Sequence, residues 1–438
     1  MYKWSIFNYI FKYDDYSIIR NMYNGALIKI TNNDLAKIND ILNKSECINN
    51  NYNEIFNELL SQDIIVKETI DEKTFYINKL KEDYDNDDLI SIVIATTYQC
   101  NFSCSYCYES GINRKLSFDD KSITSITSYL DDYLEQNNCI KRAKVTLFGG
   151  EPTLNWKFTK KILPALDEIF KKKGILYKLA ITTNGYLLNE EKIIFLSNYN
   201  LTSAEITLDG PKDIHDKRRV LINSHPTFNT IWKNISYVLD NNFLNKINLR
   251  ININNDNFEF IEDLLIFITS KYPPEKFDIS LGLITDTLHD TAAHKEIVKS
   301  ILNEDLWPHV YLKLYNLLIK YNFKHTDFYT LDGYCLAKEK YSLIICPDNK
   351  IYRCLSMIGR TECAVDELLN PHFNIKSFLS FKNIKTCLDK GCPLVPACLS
   401  GCAFEAYIDS NDSTKINCRK KEYDCINKGI SEELYAKI

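Results

Sequence analysis

The sequence predicts an α/β protein: a parallel sheet curved into a partial (β/α)6, TIM-like barrel, with a winged-helix-like module before it and a cysteine-rich domain after it. Three observations lead there. Between residues 86 and 330, apolar runs of strand length alternate six times with stripes of helical period. Residues 1–85 hold two short strand patterns around an Asn24-Gly25 turn, followed by short amphipathic helices. From 331 to 438 the periodic pattern gives way to Gly, Pro and ten of the fifteen cysteines, running from Cys335 to Cys425.

Bulk properties narrow the class. A chain of 438 residues suits two or three domains. With 45% apolar and 25% charged residues it can build a large core. A net charge of −5 speaks against a nucleic-acid binder, which is usually basic. No apolar run approaches the ~18 residues that span a bilayer. The N-terminus, MYKWSIFNYIFKYDD, lacks the pattern of a signal peptide. A cytoplasmic location with no membrane partner is expected. In a reducing compartment, so many cysteines point to metal rather than disulfides.

Taken in order, Ser17–Met22 and Ala26–Thr31 read as strands. Leu35, Ile38, Ile41 and Leu42 read as one helix, and Ile55, Phe56, Leu59 and Leu60 as a second. Ile64–Val66 reads as a strand, and the acidic run Lys81–Asp88 as a linker. In the next region the strands are Leu89–Thr97, Val145–Phe148, Leu179–Thr183, Ala204–Leu208, Ile247–Ile253 and Phe277–Leu283. Ser117 with Asp120 reads as a capping box opening a helix through Ile126, Leu130 and Leu134. In parallel α/β folds of this kind, chemistry collects at the C-terminal strand ends.

Three cysteines follow the first strand in the run TTYQCNFSCSYCYES. Cys100, Cys104 and Cys107 are spaced C-x3-C-x2-C. A short loop can place three such thiolates on three corners of a cubane, leaving one iron open to a ligand. Structural zinc takes a closed set of four ligands, and this local set has three. Further segments sit at the next strand ends: Gly149-Gly150-Glu151-Pro152, Thr182-Thr183-Asn184-Gly185, and Asp209-Gly210-Pro211 with His215 and Arg219.

Together these motifs resemble the radical S-adenosylmethionine (SAM) superfamily. The resemblance implies a 4Fe–4S cluster on Cys100, Cys104 and Cys107, whose open iron chelates SAM. Reduction of the SAM sulfonium then releases a 5′-deoxyadenosyl radical that takes a hydrogen atom from substrate. It further implies that Tyr106 lies near the adenine and that Gly149, Gly150 and Glu151 lie by the SAM amino group. Asn184 and Asp209 would face SAM, and Arg219 would pair with its carboxylate. Arg218 is adjacent, so Arg219 is chosen by register.

The later cysteines resemble the SPASM (twitch-type) extension, which binds two auxiliary 4Fe–4S clusters. That likeness implies Cys335, Cys354 and Cys402 for the first, and Cys387, Cys392, Cys398 and Cys418 for the second. Two positions depart from the pattern: Asn349 replaces a Gly, and a C-x4-C replaces a C-x2-C. The fourth ligand of the first auxiliary cluster is Cys346, or Cys363, or absent and left to a substrate thiolate. SPASM enzymes act mostly on ribosomally made peptides, and residues 1–85 resemble a peptide-recognition element that captures a leader by strand addition. The resemblance therefore implies a peptide maturase forming a crosslink, a cysteine thioether first. Its partners would be a precursor peptide and an electron donor such as flavodoxin or ferredoxin. Anaerobic sulfatase maturation is the rival. Those enzymes carry an acid after the cysteine matched by Cys354, where Leu355 stands here. A non-catalytic metal-binding regulator is a third reading. No general acid or base is assigned.

Overall fold

The computed structural model describes residues 1–44, 53–285, 298–325 and 335–435. The chain divides into two compact units, one of Met1–Asn86 and Phe378–Ile438 with Cys335, the other of Asp87–Thr326 and Leu336–Ser377.

In the first unit, β1 (Tyr2–Trp4) pairs antiparallel with β5 (Ile65–Lys67). β2 (Asn8–Lys12), β3 (Tyr16–Asn21) and β4 (Leu27–Thr31) form an antiparallel sheet with β3 in the middle. Of the two strands read from sequence around Asn24-Gly25, both are present; β1 and β2 are additions. Helices Asn32–Lys44 and Asn53–Ser61 put Leu35, Ile38, Phe56 and Leu59 into one core with Ile19 and Ile30.

The run Lys81–Asp88 is not a linker up to Asp85: it completes the helix Glu72–Asp85. Its acidic residues are that helix's exposed face, while Tyr76 and Leu80 on the other face are buried. Asp71 caps the helix, accepting from Thr74 N at 3.2 Å. Tyr76 and Leu80 share a core with Ile384, Leu388, Val395 and Leu399. The first 86 residues and the C-terminal segment thus bury each other's apolar surface.

The second unit is built on a ten-stranded sheet, of which eight successive strands are parallel: β13 (Tyr341–Ile345), β6 (Leu89–Thr97), β7 (Arg142–Gly149), β8 (Leu176–Thr183), β9 (Leu201–Thr207), β10 (Ile247–Ile253), β11 (Phe277–Leu283) and β12 (Lys324–His325). No closure between the two ends of the sheet is present among the described residues. The far side of β6 holds a strand that the sequence reading did not include. β13 (Tyr341–Ile345) pairs parallel to β6, and β14 (Lys350–Tyr352) and β15 (Asp366–Glu367) follow antiparallel. Its five residues are all buried, which explains a run as apolar as YSLII inside a cysteine-rich region. Asn349, in the hairpin between β13 and β14, takes φ 61°, the left-handed conformation that a Gly there would adopt freely.

The helix Asp120–Gln136 begins differently from its sequence reading. Asp119 is the cap, in a reciprocal box with Ser122. Ser117 instead bonds Thr97 at the end of β6. Among the described residues, no helix is long and apolar enough to cross a membrane.

Candidate active site and cysteine clusters

The loop carrying Cys100, Cys104 and Cys107 leaves the end of β6. Thr97 Oγ1 accepts from Gln99 N at 3.0 Å and so bends the chain out of the strand. Phe102 is buried and anchors the loop from beneath. Ser103 N donates to Val220 O at 2.9 Å and Ile222 N to Asn101 O at 3.0 Å, strapping the loop to the segment after Arg219. The three thiols are mutual neighbours. Burial pushes Cys100 up to about 12 and Cys107 up to about 11, and raises Cys104. Arg114 Nη2 donates to Cys107 Sγ at 3.3 Å. Three half-buried cysteines with a guanidinium aimed at one sulfur fit an iron–sulfur cluster, which would take them as thiolates. Among the described residues, no three His, Cys, Asp or Glu side chains converge on one point as a mononuclear metal would need.

The two glycines of the second strand end have a steric reason. A Cβ on Gly149 would stand 2.2 Å from Thr97 O, and one on Gly150 2.4 Å from Gln99 O. Gly150 N and Glu151 N donate to those same carbonyls at 2.9 and 2.8 Å. The backbone after β7 therefore lies directly along the approach to Cys100, and only glycine permits it.

Glu151 is fully buried and its carboxylate is used within the protein. It accepts from Thr183 Oγ1 at 2.7 and 2.9 Å, Asn184 N at 2.7 Å and Thr153 N at 3.0 Å. It ties the ends of β7 and β8 together. Asn184 in turn donates from Nδ2 to Asn101 Oδ1 at 2.8 Å, with Cys100 Sγ 4.0 Å away.

A second network surrounds Tyr106. Its phenol donates to Asp209, and Arg219 Nη1 donates to that phenolic oxygen at 2.6 Å. Asp209 is fully buried and also accepts from Asn252 N at 2.9 Å. The adjacent arginines differ in use. Arg218 donates to Asn254 Oδ1 and Asn252 O, and its guanidinium lies 5.1 Å from the Tyr106 ring centre. Arg219 lies 5.6 Å from the centre of the Phe102 ring, and its Nε is buried without a hydrogen-bond partner. His215 is sealed beneath, accepting from Asp209 N at 3.3 Å. Burial, then Arg219 and Arg218, hold it neutral well below the usual histidine range.

Sequence reading missed Asn252, Asn254 and Asn257 here. Asn257 Nδ2 donates to Asp209 O at 2.7 Å. The run of asparagines directly after an apolar strand was the available signal. It also missed Glu109, a buried carboxyl pushed up to about 7 by burial and eased down by Arg114, whose Oε1 has no partner.

In the first unit, Cys387, Cys392, Cys398 and Cys418 line one pocket together with Arg419, Lys420 and Tyr423. The lengthened C-x4-C turns at Gly391, φ 70°, so that Cys392 N reaches Cys387 O at 3.1 Å. At Gly401 a Cβ would stand 1.8 Å from Asn417 O, so the chain after Cys398 lies against the chain before Cys418. Four thiols lining one pocket form a donor set that fits an iron–sulfur cluster. Cys402 caps the helix Ala403–Ser410 and has Cys335 as an electrostatic neighbour. Cys425 sits half-buried in the helix Lys420–Tyr435.

In the second unit, Cys354 follows β14, and Cys363 lies half-buried beyond it. Cys346 is fully buried at the end of β13, with Tyr98, Asp348 and Glu109 as neighbours. Burial pushes its thiol well up.

The radical SAM superfamily model matches residues 94–268, which hold the loop of Cys100, Cys104 and Cys107 and the strand ends around it. The radical SAM cyclopropyl synthase TigE of Paramaledivibacter caminithermalis is 23% identical over 304 residues, 62% of this chain and 61% of TigE. The chain thus spans about three fifths of that relative's length. A cysteine-type anaerobic sulfatase-maturating enzyme of Clostridium novyi is 25% identical over 341 residues, 72% of this chain and 87% of that enzyme. Among solved structures, anSMEcpe with bound AdoMet and the Cp18Cys peptide shares the fold at TM-score 0.62 and 16% identity, covering 80% of this chain and all of that one. Streptococcus suis SuiB bound to its precursor peptide SuiA does so at TM-score 0.54 and 14% identity, covering 96% and 99%.

A parallel sheet with a three-cysteine loop at its first strand end defines a radical SAM enzyme. The chain holds a radical SAM domain over residues 94–268, and the cofactors of that domain are a 4Fe–4S cluster and SAM. Its relatives include a radical SAM cyclopropyl synthase and anaerobic sulfatase-maturating enzymes, and its cysteine-rich C-terminus fits auxiliary clusters.

Proposed function

We propose that this enzyme is a peptide maturase that forms a crosslink, a cysteine thioether, in a ribosomally made precursor. The observation carrying this reading is the extent of the likeness to SuiB. It covers 96% of the chain, whereas the likeness to anSMEcpe covers 80%. The three-stranded sheet supports leader capture: β2 pairs only with β3 among the described residues, leaving an edge for an added strand.

When bound, the cluster and SAM supply a radical that abstracts hydrogen from the substrate. The chain's own residues hold and orient. Cys100, Cys104 and Cys107 would ligate the cluster, and Arg114 hydrogen-bonds the Cys107 sulfur. Glu151 locks the ends of β7 and β8, which fixes Asn184 beside Cys100. Arg219 would pair with the SAM carboxylate, and Tyr106, itself bonded to Asp209, holds that guanidinium in place. Cys387, Cys392, Cys398 and Cys418 would hold an auxiliary cluster, which would supply an electron acceptor there. A flavodoxin or ferredoxin supplies electrons, and the enzyme works in the cytoplasm.

The test is anaerobic reconstitution followed by reaction with the product of a short, cysteine-containing reading frame beside the gene. Three clusters predict about twelve irons per chain. A peptide lighter by two hydrogens, with the cysteine sulfur bonded to carbon, is the expected product. Conversion of a sulfatase-derived cysteine peptide to formylglycine would select the rival reading. Leader capture is tested by Ile10→Lys on β2, a substitution at an exposed position, rather than by deleting residues 1–85. Deletion would strip the core partners of Ile384 and Leu388.

A further inference from the structure

The residues so far assigned leave one cation unexplained on the inner face of the sheet. On β10, Leu249, Ile251 and Ile253 are fully buried on one face. Asn248, Arg250 and Asn252 point the other way and are half-buried. Asn252 Nδ2 lies 3.4 Å from the Tyr106 hydroxyl, so this row runs up to the SAM network.

Arg250 is positioned but not neutralised. Its Nε donates to Asn252 Oδ1 at 3.1 Å and its Nη1 reaches Ser280 Oγ at 3.4 Å. It has no carboxylate partner among the described residues. Its guanidinium lies over Gly282 of β11, where a Cβ would stand 1.8 Å from Nη2 and 2.2 Å from Cζ. No unusual backbone angle calls for glycine at Gly282. The glycine makes room for the guanidinium. A fixed, half-buried, unpaired guanidinium fork beside a reaction site is a recogniser of paired oxygen acceptors.

We infer that Arg250, seated on Gly282, is a substrate-positioning subsite that takes a carboxylate of the peptide undergoing modification. The inference rests on the peptide-maturase reading. A carboxylate held there stands one residue pair along β10 from Asn252, and so near Tyr106. It would hold the peptide in one register relative to the radical.

The experiment uses reconstituted holoenzyme and two substitutions, Arg250→Gln and Gly282→Ala. The second leaves the arginine in the sequence but drives its guanidinium off its seat. N-acetylglycine and its uncharged amide, N-acetylglycinamide, are the probes, followed by ligand-observed NMR. Wild type should favour the carboxylate over the amide, and both variants should lose that preference. With the peptide encoded beside the gene, both should raise its KM about tenfold or more, as loss of a charge-assisted hydrogen-bond pair does, with the smaller change in the SAM KM. An equal response of wild type and variants to both probes overturns the subsite. A rise confined to the SAM KM would assign Arg250 to the SAM carboxylate and also overturn it. If wild type modifies no peptide but still discriminates the probes through Arg250, the maturase reading fails while the carboxylate subsite stands.

Discussion

Arg219 Nη1 donates to the Tyr106 hydroxyl oxygen at 2.6 Å, although the two residues stand 113 positions apart. The same phenol donates to Asp209, so one tyrosine couples the cysteine loop to the end of β9. A charged donor in a buried network makes this contact worth about 1.5–3 kcal/mol. Tyr106→Phe and Arg219→Lys should each weaken SAM binding by about tenfold or more. The double substitution should do less than their sum, because both remove one interaction. Calorimetric titration of SAM into the reconstituted protein reads this directly; additive losses would mean that the two residues act separately.

Two glycines offer a controlled comparison. Gly150→Ala places a methyl 2.4 Å from a backbone carbonyl that has no room to move. A loss of about 3 kcal/mol or more is expected, at the upper end of overpacking effects, along with reduced iron retention at the first cluster. Gly174→Ala meets nothing within 4 Å and carries only the strain of φ 67°. Its expected loss is about 1 kcal/mol, with iron content unchanged. Denaturant melts and iron assays on both variants check the pair.

His215 gives a pH signature. Its folded pKa lies well below 6.5, through burial and the two arginines, while the unfolded chain titrates near the ordinary value. Below pH 6.5 the unfolded state therefore binds more protons, so stability falls as the pH drops. Above 6.5 the contribution is fully present. His215→Gln should flatten the acid side of the stability curve of the apoprotein. An unaltered slope between pH 6.5 and the acid transition would show that His215 is not the titrating group.

The cavity of four thiols predicts an iron count. Cys418→Ala should remove about four irons per chain. Cys425→Ala, seven residues further along and outside that cavity, should remove none. Parallel loss in both variants would point to misfolding of the segment rather than to ligation.

Much of the candidate site was legible in the sequence because its signals are local. Cys100, Cys104 and Cys107 are fixed by spacing within eight residues, and β10 and β11 were read with their observed ends because strand periodicity is set residue by residue. The linker reading of Lys81–Asp88 failed for an equally physical reason. Charge density marks solvent exposure, and an exposed helix face has the same charge density as a linker. Only the burial of Tyr76 and Leu80 separates the two. Tyr341–Ile345 escaped because a short apolar run names neither its class nor its neighbour.

By itself, the sequence determined the three-cysteine loop, the alternation of strands and helices beneath it, and the later group of cysteines. Each is written in spacing or period over a few residues. Only the tertiary structure decided that Arg219 donates to the Tyr106 hydroxyl while Arg218 turns to Asn254 and Asn252. It alone joined the first 86 residues to the segment containing Ile384 in one core, and seated Arg250 on Gly282. Those facts depend on which distant surfaces meet, and contact between residues far apart in the chain leaves no mark in local pattern.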